Sequence, residues 1–168
     1  MNAIFIQTPY LTSTFALLLF VLNGYRLFNW CATGIWRVPL LWSLYLSAWL
    51  INFGFLFYGL QAQYNSLSIL TLHIFTIGGI GLMTISMMSR VALGHTGRDI
   101  RKPSRWIGMA FSSIIASVLF RVLMPMFTMQ FYSSSVIVAA ILWILGFTFF
   151  VVIYTPILVK PRADGAFG

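Results

Sequence analysis

From Arg37 to Arg90 no Asp, Glu, Lys or Arg interrupts the chain. A membrane-crossing helix needs about 20 apolar residues, so this run is too long for a single crossing. The polar stretch QAQYNS (61–66) divides it into two helices, about 39–60 and 67–90. Upstream, residues 10–26 read as a shorter span, extendable backward through AIFI. Downstream, 104–124 ends against Pro125, and 133–159 ends against Pro156 and the charged tail. Proline marks these stops because it lacks an N–H and clashes with the preceding turn. The pattern predicts an all-α, polytopic transmembrane helix bundle of about five membrane-spanning helices, a single domain over residues 1–168. No repeat with a period of about 20–50 residues is visible.

Composition supports that reading. The 168 residues are 60% hydrophobic and 7% charged, whereas a soluble domain carries roughly a quarter charged residues. A water-facing surface cannot be made from this chain, so the lipid bilayer is its solvent. The net charge of +8 would suggest nucleic acid in a soluble protein. Here the basic residues fall mostly between apolar segments, where they set topology, and no nucleic-acid partner is expected. Arg26 and Arg37 belong to the first loop, Arg90, Arg98, Arg101, Lys102 and Arg105 to the third, and Lys160 and Arg162 to the tail. That side is expected to be cytoplasmic, with the C-terminus inside and the N-terminus outside. Arg121 is the exception, near the outer end of the fourth span, either snorkelling to the interface or clamping a buried anionic group. Met1 to Tyr10 lacks the basic region of a secretory signal, and Cys31, being single, forms no intramolecular disulfide. An odd count of spans is also what a chain shows when upstream helices are missing.

The two histidines stand far apart. His73 is placed about two turns into the third span and His95 beyond its end at Arg90, roughly 30 Å away at 1.5 Å per residue. One helix cannot bring both to one metal. His73 reads either as an imidazole hydrogen-bonded to a neighbouring helix or as a haem or copper ligand, since ionisable groups inside a span are costly and are functional candidates by default. At 100° per residue Thr76, Ile77, Ile80, Thr84 and Met87 share its face. Gly78, Gly79 and Gly81 lie largely off that face and favour close helix packing, or leave room for a flat macrocycle. His95 lies in the basic turn GHTGRDIRKPSR, where Gly94 and Gly97 are able to take φ > 0. That turn reads as a solvated loop touching anionic lipid heads, or as a pocket for an anion or a haem propionate.

Met83, Met87 and Met88 in the third span, and Met124, Met126 and Met129 near an outer loop, are either soft ligands for Cu(I) or packing fillers. Trp30, Trp36 and Trp106 suit interfacial belts, while Trp42, Trp49 and Trp143 suit packing. Asp99 and Asp164 are the only acids, and both lie outside the expected spans. Hydrolysis or proton pumping through intramembrane carboxylates therefore has no candidate, and there is no phosphate loop or CxxCH haem attachment.

The stretch from His73 to Arg98, with glycines after the histidine and MMSRVALGHTGR at its end, resembles the NnrS family. So do the terminal YTPILVKPRADG and Arg26 with NWCATGIWRVPLLW. The resemblance is to the C-terminal half of the family pattern. It implies a polytopic protein of the bacterial cytoplasmic (inner) membrane, containing haem or copper and linked to nitric oxide, in nitrosative stress or denitrification. It implies His73 as the metal ligand, and His95, Arg90 and Arg98 as residues of a cofactor site on the cytoplasmic side. The family's N-terminal half carries a His–Glu–Met motif that this chain does not contain, so the resemblance also implies a partner chain supplying that half. The alternatives are a non-catalytic membrane subunit, a transporter half, or a truncated remnant.

Overall fold

The computed structural model describes residues 9–61, 67–127 and 130–165. The proposed backward extension through AIFI, most of the divider QAQYNS, and Met129 lie outside them. Five helices are long and apolar enough to cross a membrane: α1 (Pro9–Asn29), α2 (Pro39–Leu60), α3 (Leu67–His95), α4 (Ile107–Phe127) and α5 (Tyr132–Val159). No strand occurs among the described residues. The chain is an all-helical membrane protein.

Local chemistry sets the helix ends, and it moves several of the expected boundaries, the end of α1 from 26 to Asn29 among them. Val38 is extended and Pro39 opens α2, because proline disfavours the helical conformation in the residue before it and suits the first helical turn. α3 continues past Arg90 to His95, so His95 occupies the last helical turn instead of lying beyond the helix. α4 starts at Ile107 and runs through Pro125 to Phe127. The proline is tolerated because Leu119–Leu123, just before it, is wound as a π-helix, and such local rewinding re-satisfies backbone groups that a proline leaves unpaired. α5 likewise passes Pro156 and ends where Lys160 turns extended, at ψ 152°. Lys160 precedes Pro161, so that second proline is the stop.

α1 and α3 both pack on α2, and α3 and α4 both pack on α5. The main core gathers Leu40, Leu82, Ile85, Leu93, Ile107, Phe111, Ile114 and Tyr154. Leu40 and Ile107 begin their helices, whereas Leu93 and Tyr154 are near the ends of theirs, so this core sits at the end of the bundle that carries the basic loops. Trp42 meets Phe111 edge-on at 5.7 Å. A smaller cluster, Leu70, Ile74, Val118 and Val122, sits at the opposite end.

Helices in lipid gain little from apolar contact and associate through small residues and hydrogen bonds. Both devices are present. A Cβ added to Gly79 would lie 2.5 Å from Ile51 Cγ1, and one added to Gly146 would lie 2.7 Å from Ile114 Cδ1, so each glycine is the contact between two helices. Gly78 likewise faces Leu50 and Val118. Gly78 and Gly79 therefore serve helix packing, whereas a Cβ on Gly81 would chiefly meet the Thr76 carbonyl of its own helix, at 3.2 Å. Ser117 Oγ–H donates to the Ala139 carbonyl at 2.7 Å, joining α4 to α5.

Candidate functional site

His73 is the last residue of the first α-helical part of α3; Ile74–Gly81 after it form a π-helix, and Leu82–His95 are α-helical again. The π-helix carries more residues per turn and is common at functional sites. It rotates the downstream face, so the set expected at 100° per residue breaks up. Thr76 and Ile77 stay beside His73 in a groove of about 510 Å³. Ile80, Thr84 and Met87 are exposed and do not line it.

The other walls come from α4 and α5: Arg121, Val136, Ala139, Ala140, Trp143 and Ile144. Small residues at 139 and 140 leave the space, and Trp143 and Ile144 make it apolar. The volume falls within the roughly 300–1,000 Å³ of small-molecule and cofactor sites. Ala140, Trp143, Ile144 and Thr76 are all exposed, so the groove opens sideways toward lipid.

Three polar side chains line this apolar space, and one of them, Thr76, spends its hydroxyl on the Leu72 carbonyl at 2.8 Å. The His73 Nδ1–H donates to the Ile69 carbonyl at 2.6 Å, since a carbonyl can only accept. In the neutral ring that bond leaves Nε2 as the nitrogen with a free lone pair. Metal-bound histidines are oriented in this way, by giving the other ring N–H to a carbonyl or carboxylate. Arg121 lies on the π-helical turn Leu119–Leu123. Its Nη2–H reaches the Tyr132 hydroxyl at 3.4 Å and its guanidinium lies 5.4 Å from that ring. Its Nη1 is buried without a partner. A half-satisfied cation and a free imidazole nitrogen thus share one apolar groove, an arrangement that suits a flat apolar ligand with an electrophilic centre and an anionic arm.

Sequence reasoning considered Arg121 only as a snorkelling side chain or an anion clamp, with no tie to His73, and it assigned Trp143 to packing. The available signal was that Arg121 is the one charge inside an otherwise uncharged α4. Among the described residues no methionine lines the groove; Met87 and Met88 are 46% and 49% exposed, pointing away from the interior. Among the described residues no group of three or more His, Cys, Asp and Glu is placed to hold a metal ion.

The other candidate residues lie at the basic end. His95 and Arg90 are exposed, and both are on the same helix as His73 but remote from it. Only Gly97 takes the positive φ, at 69°; Gly94 is helical. The Gly97 N–H bonds the Gly94 carbonyl at 3.3 Å and the Arg98 N–H bonds Leu93 at 2.9 Å, the paired bonds of a Schellman cap. Those amides close the helix and are not free to cradle an anion. Arg98 Nη1–H reaches the carbonyls of Thr96 and Ile157 at 3.4 and 3.3 Å, tying the α3 turn to the end of α5. The tail returns to the same place, where Ala163 N–H bonds the Thr96 carbonyl at 3.0 Å. Arg162 pairs with Asp164 at 2.6 Å, and the Asp164 carboxylate holds the Arg162 guanidinium above its ordinary pKa. The structure therefore gives Arg98 a capping role and does not join His95, Arg90 or Arg98 to the His73 groove.

The family model described as NnrS protein matches residues 1–162. The chain belongs to the NnrS family. No curated protein and no solved structure matches it. The NnrS match covers both the His73 groove and the capped basic turn.

Proposed function

We propose that this NnrS protein binds haem in the groove between α3, α4 and α5 and acts in the response to nitric oxide. His73 would hold the haem iron through Nε2, and Arg121 would pair with a propionate. The observation that carries the reading is the hydrogen bond from His73 Nδ1 to Ile69, which holds a lone-pair nitrogen at the wall of an apolar groove. The buried, unpartnered Nη1 of Arg121 supports it, because an unpaired cationic N–H in an apolar setting calls for an anion. Haem suits this donor set better than a bare copper ion. Among the described residues the groove provides one imidazole and no thioether or thiolate, whereas haem brings its own ring nitrogens and takes one or two from the protein. When bound, its iron would supply a coordination position for a diatomic gas.

The chain's own residues orient and enclose. Ile69 fixes the imidazole tautomer, Trp143 and Ile144 exclude water, and the open side of the groove is where lipid or a chain supplying the family's N-terminal half would complete it. The basic end is assigned to the cytoplasmic side of a bacterial inner membrane, on the bias of Lys and Arg.

The test is a reduced-minus-oxidised optical spectrum with metal analysis, on the chain purified in mild detergent. The wild type is expected to show a Soret band that His73→Ala abolishes and that Arg121→Gln weakens by lowering haem retention. A well-folded wild type free of haem, or a Soret band unchanged in His73→Ala, would overturn the assignment.

A further inference from the structure

A second polar cavity lies between α1, α2 and α3 and shares no residue with the His73 groove. Its volume is about 140 Å³, and its walls include Asn23, Arg26, Asn52 and Met83. Asn52 is 1% exposed, and both amide atoms, Nδ2 and Oδ1, are buried with no hydrogen-bond partner. Buried amides left wholly unpaired are rare in folded proteins, and hydrocarbon supplies no water to replace the missing bonds. The buried hydroxyls of α3 avoid this problem by bonding within their own helix, Ser86 to Leu82 and Ser89 to Ile85. Asn52, a wall residue of the cavity, leaves both of its amide atoms unpaired.

The neighbouring groups indicate what would satisfy it. Asn23 gives its Nδ2–H to the Leu19 carbonyl at 3.0 Å, which keeps its Oδ1 as an acceptor. Arg26 brings a full positive charge and lies 5.1 Å from the Trp30 ring. No protein carboxylate is shown beside it. The chain has two acids, and Asp99 accepts from the Arg101 N–H while Asp164 accepts from Arg162. A guanidinium and a primary amide together present the planar N–H donors that match an oxyanion. With a water's share of liquid at about 30 Å³, the cavity has room for roughly four or five water-sized groups. A carboxylate-sized anion with one or two waters fills it, the waters donating to Asn52 Oδ1. A lipid phosphodiester, with two ester arms, exceeds that space.

We propose that this cavity is a binding site for a small, freely diffusing monovalent oxyanion. Arg26 supplies the charge and Asn52 the hydrogen bonds. Gly24 of α1 leaves room beside the amide, since a Cβ there would lie 3.2 Å from Asn52 Nδ2.

The probe is ¹³C-formate, added to the detergent-purified chain in chloride-free buffer and followed by NMR line broadening, with neutral formamide as the control. Formate is expected to broaden in a saturable manner and formamide not to. Arg26→Gln and Asn52→Leu should each weaken formate binding about tenfold, the loss of one charge-assisted or buried hydrogen bond. Gly24→Ala should weaken it as well. Arg26 is exposed, so Arg26→Gln keeps the test decisive even where Asn52→Leu disturbs packing. Absence of saturable broadening in the wild type, equal broadening by formamide, or unchanged binding in Arg26→Gln would overturn the proposal.

Discussion

Replacing Gly79 by alanine tests how the π-helical part of α3 is held against α2. The added methyl would lie 2.5 Å from Ile51 Cγ1, with the Ile51 Cα behind it at 3.7 Å. Ile51 cannot swing clear, because a β-branched side chain in a helix keeps essentially one χ1 rotamer. The helices must therefore part or Ile51 must leave its rotamer, and overpacking of this kind costs about 1–3 kcal/mol. Alanine's better helix propensity, worth at most about 1 kcal/mol over glycine, works in the opposite direction. A membrane helix realises only part of that gain, because hydrocarbon keeps it helical even when it is unpacked. The net expectation is a loss of roughly 1 kcal/mol or somewhat more. Reversible unfolding in mixed micelles with increasing SDS measures it, and a cycle with Ile51→Ala isolates the contact. Removing Cγ1 should make Gly79→Ala nearly harmless, leaving a coupling energy above the ~0.5 kcal/mol scatter of independent sites. Gly79→Ala as stable as wild type, or effects that merely add, would refute the close contact and with it the reason for a glycine at this position.

Two further perturbations separate structural from functional roles. Gly97→Ala forces a side chain into φ 69° with its Cβ 2.5 Å from the Asp164 carboxyl carbon, at a conformational cost of roughly 1 kcal/mol or more. It should release the tail, seen as faster hydrogen exchange around Ala163; Gly94→Ala, on a helical residue with its nearest neighbour 3.5 Å away, should not. Equal exchange in the two variants would contradict the capping role. Ser117→Ala removes the bond to the Ala139 carbonyl and should lower stability by about 0.6–1 kcal/mol, the range for hydroxyls between membrane helices. An unchanged SDS midpoint would show that the α4–α5 contact rests on packing alone.

The two cavities hold unpaired polar groups where the lipid environment makes them hardest to sustain. The Arg121 Nη1 and the Asn52 amide are buried without partners, on different helices and beside different cavities. A soluble protein could hydrate such groups, whereas a bundle in hydrocarbon must answer them with its own atoms or with something bound. The two regions are therefore separable by experiment, since Asn52→Leu leaves every wall of the His73 groove in place and His73→Ala leaves every wall of the smaller cavity.

The five crossings were legible in the chain because the bilayer imposes a length, and runs of about 20 apolar residues between polar or proline breaks are its direct imprint. His73 was legible as a candidate because it is the one histidine in a stretch, Val38 to Ser89, that holds no Asp, Glu, Lys or Arg. The helix ends were less so. Pro125 and Pro156 read as stops, yet the structure carries both inside helices, with a π-helical turn before the first. The basic turn was legible as a turn but not as a cap, since the destination of the Gly97 and Arg98 amides depends on how the backbone closes behind them. Nothing along the chain brought Arg121 to His73 or left Asn52 unpaired. A helix apolar on all sides has no polar stripe to say which face turns inward, and a π-helical insertion rotates every residue after it. Only the packed bundle, through which small residues meet, decides which distant side chains come to share a cavity.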